Sequence, residues 1–179
     1  MDEARLEDVS SGLAPASEGW FVVNARDAAW VTGETFGSRC VFEASPRVVQ
    51  NSPGVEPRWF PQVGVNLDVI MPGQPSGLYH SETAQEDMLV LHGECILRIE
   101  GEERPLRAWD FVHCPPGTAH SFVGAGNGPC VIFMVGARPP DKGLYYPELD
   151  THSAREAYAP YPPSQPGRPA AWPRLPWGD

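Results

Sequence analysis

Through the middle of the chain, apolar and polar residues alternate with a period of two. Val63, Val65, Leu67, Val69 and Met71 recur with Gly64, Asn66 and Asp68 between them, as expected of a strand with one face buried. The Pro72-Gly73-Gln74-Pro75 run ends it, because Pro and Gly punctuate regular structure. Leu78–Ser81 reads as a short extended piece, and strands follow over Glu86–Leu91 and Glu94–Glu100, with Gly93 as the turn between them. Arg104–Leu106, Phe111–His113, His120–Val123 and Cys130–Val135 add further short strands. A helix is expected only near Glu3–Val9. No longer helical pattern interrupts the strands, which argues against a parallel α/β sheet. The expected class is all-β and antiparallel, a sandwich or a barrel.

Punctuation divides the 179 residues into three zones. Residues 1–19 are polar and turn-rich, expected as a loosely packed N-terminal arm. Residues 20–137 hold the strands and no internal repeat. Residues 138–179 form a tail with ten of the 21 prolines, together with Tyr145, Tyr146, Tyr158, Tyr161, Trp172 and Trp177. The aromatic bulk predicts a tail lying extended along the barrel or along a neighbouring subunit, rather than a solvated linker. Its Tyr-Pro-Pro run at 161–163 also has the form of a polyproline ligand, with packing the expected role.

Charge and composition narrow the function. The net charge is −10 and no cluster of Lys or Arg occurs, so a nucleic-acid partner is not expected. The Met1–Arg5 start lacks the basic and apolar regions of a secretory signal. No run approaches the roughly 20 apolar residues of a membrane span. The four cysteines, at 40, 95, 114 and 130, form no CxxC pair, and three lie in apolar strand-like segments. They read as reduced thiols of a cytoplasmic protein.

The candidate chemistry lies between residues 72 and 124. His80 and Glu82 are two apart on an extended segment, so both side chains leave one face. Glu86 opens the next strand after three intervening residues and can return to that face. His120 follows the Pro115-Pro116-Gly117 turn, which would bring another strand alongside. Two imidazoles and two carboxylates on one interior face form a mixed N/O site for a divalent transition metal. Carboxylates inside a barrel are costly without a cation, and a metal would supply one.

These residues resemble the cupin superfamily, whose first motif is G-x5-H-x-H-x3,4-E-x6-G and whose second is G-x5-P-x-G-x2-H-x3-N. His80, Glu86 and Gly93 match the first; Pro115, Gly117 and His120 match the second. The resemblance covers roughly residues 60–137 and implies an antiparallel double-stranded β-helix, a jelly-roll-like barrel with the metal inside and a homodimeric assembly. Four positions depart from the pattern. Glu82 stands at the second His, Gln74 at the opening Gly of the first motif, Trp109 at that of the second, and Gly124 at the terminal Asn. The last three concern turns. Glu82 concerns chemistry: two carboxylates would neutralise a divalent ion and weaken it as a Lewis acid. If Glu82 instead points away or acts as an acid/base, His80, Glu86 and His120 form a triad of two histidines and one carboxylate with open positions.

The expected metal is Fe, Mn or Zn, with Glu82 and Glu86 as candidates for proton transfer. Met88 and Val90 share the face of Glu86, and with Phe122 and His113 they are candidates to line a pocket; for His113 core packing is the other reading. Leu89 and Leu91 then point outward and need cover from a partner or from the N-terminal strands. Arg98, Arg104 and Arg107 are either surface residues or a carboxylate clamp. Two functions follow: a metal-dependent, dioxygenase-like enzyme on a small organic molecule, or a non-catalytic cupin that senses or sequesters a metal or small ligand.

Overall fold

Fourteen short strands follow one another without a helix among the described residues. The structure, a computed structural model, describes residues 1–9, 12–33, 36–43, 59–147 and 168–169. The strands are β1 (Leu6–Asp8), β2 (Leu13–Pro15), β3 (Trp30–Gly33), β4 (Gly37–Val41), β5 (Val63–Ile70), β6 (Ser81–Glu82) and β7 (Glu86–His92). Then come β8 (Glu94–Ile99), β9 (Glu102–Arg107), β10 (Phe111–Cys114), β11 (His120–Ala125), β12 (Cys130–Ala137), β13 (Leu144–Tyr145) and β14 (Arg168–Pro169). One sheet runs β10-β7-β12-β5-β4-β3-β14 and a second β11-β8-β9, all pairings antiparallel.

Period two sorts the side chains onto two faces. Ile70, Met88, Val90 and Ile132 of the first sheet meet Leu97 and Phe122 of the second in the main core. The intervening Val69 and Val131 face outward, where Ala28, Trp30 and Cys40 cover them. Leu91 joins this outer cluster, so the cover it needs comes from the N-terminal strands of the same chain. All four cysteines are free and buried.

Three expectations need correction or limits. The helix expected near Glu3–Val9 is instead strand β1, paired with β2 through Leu6↔Pro15 and Asp8↔Leu13. The loosely packed arm is also not what forms, because Ala4, Val9 and Ala14 are buried, the last two against Ala29. Pairing with the neighbouring strand β2 decides such a short segment, whose own helical tendency is too weak to compete. Of the tail, Tyr158, Tyr161, Trp172 and Trp177 lie outside the described residues. Residues 138–147 turn back onto the barrel, and β13 pairs with β6.

Two interior acids are held by arginines. Glu43 is 1% exposed and ion-pairs with Arg138, whose Nη1 also donates to Phe60 O at 2.9 Å. Asp68, on the inward face of β5, accepts two hydrogen bonds of 2.6 Å from Nε and Nη2 of Arg39. Such forked pairing lets a carboxylate remain inside.

The turn departures have local causes. Gly124 N donates to Gln74 O at 2.9 Å, and Gly73 N donates back to Gly124 O at 2.8 Å. A Cβ at position 124 would lie 2.2 Å from Met71 O, so the close approach of the 71–74 loop demands glycine. Trp109 has φ 75° and an exposed side chain, so a bulky residue holds a left-handed turn that glycine takes without strain. Trp109→Gly is expected to raise unfolding stability by about 1 kcal/mol, read from the midpoint of a denaturant titration. Gly124→Ala is expected to lower it by about 2–3 kcal/mol, and an unchanged midpoint would show that the loop moves aside freely.

Candidate metal centre

His80 and His120 are joined by a single antiparallel bridge. His80 N donates to His120 O at 3.1 Å and His120 N to His80 O at 2.8 Å. Residues paired in this way project to the same side, and the two imidazole centroids are 5.1 Å apart. Two turns feed the bridge. Thr118 N closes the Pro-Pro-Gly turn on Pro115 O at 3.1 Å, and Gly117 N reaches Glu82 O at 2.7 Å. Glu86 comes from the opposite sheet, at the start of β7, between its Cα partners Cys114 on β10 and Gly136 on β12. A small neighbour on each side leaves room for its carboxylate to face inward.

Three donors meet there: the ligand atoms of His80, Glu86 and His120 all lie within 4.8 Å of one another. The hydrogen bonds fix both tautomers. His80 Nδ1 lies 2.7 Å from Leu78 O and His120 Nδ1 lies 3.1 Å from Thr118 O. A carbonyl only accepts, so each Nδ1 carries the proton and each Nε2 offers a lone pair. His120 Nε2 is 3.6 Å from Glu86 Oε2, close to the roughly 3–3.5 Å that separates two ligands of one ion with bonds near 2.1 Å.

The electrostatics agree with the geometry. Burial holds the pKa of both histidines below the ordinary value, which favours the neutral, metal-competent ring. Burial, and after it the charge of Glu82, pushes Glu86 up to about 7. Unlike Glu43 and Asp68, Glu86 has an imidazole as its ion-pair neighbour among the described residues, and Lys142 and Arg39 act on it only from further off. The donor set, with a buried carboxylate whose ion-pair neighbour among the described residues is an imidazole, fits a divalent cation.

The structure places Glu82 differently. It is on the same short segment as His80, but its buried Oε2 faces the ammonium of Lys142 at ion-pair distance, without an aligned hydrogen bond. The expected four-residue group is thus three converging donors beside an acid–ammonium pair. Met88, Val90 and Phe122 are buried in the core beneath, and the Phe122 ring meets His120 edge-on at 6.1 Å. His113 does not line the pocket or pack in the core. Its alternate neighbours Val112 and Cys114 point inward, so it lies outside, half exposed, with Nδ1 2.6 Å from Asp87 Oδ1. Arg104 pairs with exposed Glu102, and Arg98 lies over the Tyr79 ring.

Lys142 and Tyr146, whose ring centroid is 6.1 Å from that of His80, carried no signal as site residues. Both sit in the proline-rich tail, outside any motif. One trait could have singled out Lys142: it is the only lysine in the chain, all other cationic side chains being arginine.

The raised pKa of Glu86 has a sign that can be checked in metal-free protein. The folded state holds this proton more tightly than the unfolded chain, whose value is near 4.5. Its stabilising contribution is therefore complete below that value and lost as pH rises through about 7. The melting temperature of the metal-free wild type is expected to fall relative to that of Glu86→Gln over this window. A constant difference between the two would show that Glu86 keeps an ordinary pKa.

Comparison with known proteins follows the same lines. The family model described as a cupin domain matches residues 66–136. Among proteins of curated function, none matches the sequence. The polyketide cyclase RemF from Streptomyces resistomycificus is 16% identical, with 74% of this chain and 89% of that one covered at a TM-score of 0.55. A predicted oxalate decarboxylase from Thermotoga maritima is 17% identical, with 66% and 100% covered at 0.51. A sugar phosphate isomerase from a cupin superfamily, from Silicibacter pomeroyi, is 28% identical, with 63% and 67% covered at 0.49. Together with the antiparallel strand order and the two motifs that bring His80, Glu86 and His120 into one barrel, the match makes residues 66–136 a cupin domain.

Proposed function

We propose that this protein binds a divalent transition metal through His80, Glu86 and His120 and acts on a small organic molecule as a dioxygenase-like enzyme. The observation that carries the proposal is the convergence of three donors from separate segments, all within 4.8 Å of one another, with both Nε2 lone pairs preset by carbonyls of the chain. Two histidines and one carboxylate are the ligand set of many non-haem iron sites. A bound ion would supply Lewis acidity and, if it is iron, redox chemistry.

The chain's own groups supply the rest. Leu78 O and Thr118 O hold the imidazoles in orientation, which keeps ligand basicity and geometry constant. Met88, Val90 and Phe122 form a dry floor beneath the donors and keep water from entering from the core side. The Glu82–Lys142 pair can hold or release a proton between Oε2 and Nζ at the edge of the site. The activities named for the cyclase, decarboxylase and isomerase relatives differ among themselves, so the reaction is proposed from this donor set and not from them.

Metal analysis is the test. Purified protein is expected to contain close to one transition-metal ion per chain, and His120→Ala to lose more than about 100-fold in affinity. Full metal content in that variant would refute the site. The Fe(II)-loaded protein is then expected to consume oxygen with some member of a catechol and β-diketone panel. No uptake, with a raised melting temperature in the presence of a panel compound, would instead mark a non-catalytic binding protein.

A further inference from the structure

The single lysine of the chain is placed at the site by its backbone, not by its charge. After β12 the chain turns at Pro139–Lys142, where Lys142 N donates to Pro139 O at 3.0 Å. It is then fastened to the segment beside His80. Thr83 N donates to Gly143 O at 3.0 Å, Gly143 N donates to Thr83 Oγ1 at 2.6 Å, and Leu144 and Tyr145 pair with Glu82 and Ser81. These bonds would hold Lys142 beside Glu82 whatever its side chain did. The ammonium faces Glu82 Oε2, and its Nζ also lies near the Glu86 carboxylate, since a Cβ at Gly136 would meet both at 3.7–3.8 Å.

The Glu82 carboxylate is paired with Lys142 and stands on the same short segment as His80, two residues along the chain. Its charge is felt at His80, Glu86 and His120, and a buried carboxylate needs a cation. We propose that Lys142 is a positioning residue that sets the coordination number of the metal by keeping Glu82 off it. With Lys142 in place, three side chains bind the ion, the centre carries one net positive charge, and positions stay open for a small molecule. Without the ammonium, Glu82 becomes the fourth ligand, and the centre turns neutral and more saturated. The inference rests on the metal-binding reading of His80, Glu86 and His120.

Co(II) is a suitable probe, because its visible spectrum reports ligand number and geometry. Lys142→Met is expected to bind Co(II) on the order of tenfold more tightly than wild type and to show an altered visible spectrum. Adding Glu82→Gln to Lys142→Met is expected to restore the wild-type spectrum, whereas Glu82→Gln alone leaves it unchanged. Lys142→Arg, which keeps the charge, is expected to look like wild type. An identical spectrum in wild type and Lys142→Met overturns the inference, as does a spectral change caused by Glu82→Gln alone. Should Lys142→Met fail to fold, the spectrum of Glu82→Gln decides by itself. If wild type takes up no Co(II), or His120→Ala takes it up equally well, the metal reading fails and this inference with it. Normal Co(II) uptake lost in His120→Ala but insensitive to Lys142 refutes the role of the lysine alone.

Discussion

A carboxylate inside an apolar barrel requires a cation, and the interior of this protein is arranged around that requirement. Glu43 has Arg138, Asp68 has the fork of Arg39, and Glu82 has Lys142. Each basic partner lies far from its acid in sequence, so each ion pair also ties distant strands together. Glu86 is the exception. Among the described residues its ion-pair neighbour is the imidazole of His120, and burial, with the charge of Glu82 after it, raises its proton affinity. An interior acid left in this state, beside two nitrogen lone pairs, is a preformed place for a metal ion.

The backbone does much of the positioning. The single His80–His120 bridge makes the two imidazoles neighbours, and carbonyls two residues upstream of each ring set its tautomer. The motif spacings matter because they allow this bridge and bring Glu86 back from the facing sheet. Trp109 and Gly124 show the same economy at the turns: one tolerates a left-handed backbone on the surface, the other makes room for a loop that touches the chain.

The charge of the centre follows from a segment outside the barrel strands. With Lys142 paired to Glu82, the second acid would no longer count against a metal on the three donors. The centre would then differ from the neutral one that a bare count of two histidines and two glutamates suggests. In the proposed centre, an ion held by His80, Glu86 and His120 alone would be more electrophilic and would leave positions for a small ligand.

Much of this was legible in the sequence. Period-two alternation located β5, because a strand buried on one face must repeat every second residue, and short extended segments between Gly and Pro breaks located β7, β8, β11 and β12. Spacing gathered His80, Glu82, Glu86 and His120, and the resemblance to the cupin motifs matched His80, Glu86 and His120 among them. The same alternation, followed one step further, would have turned His113 outward between Val112 and Cys114. The Glu3–Val9 segment could not be read, since three residues of strand are decided by their partner and not by their own preference. Nor could the fate of Glu82. Its two-residue offset from His80 determined the face it leaves from, but not which cation it would meet there. Only the tertiary structure decided that, because the competing ammonium stands 60 positions further along the chain and reaches Glu82 through backbone hydrogen bonds that no motif records.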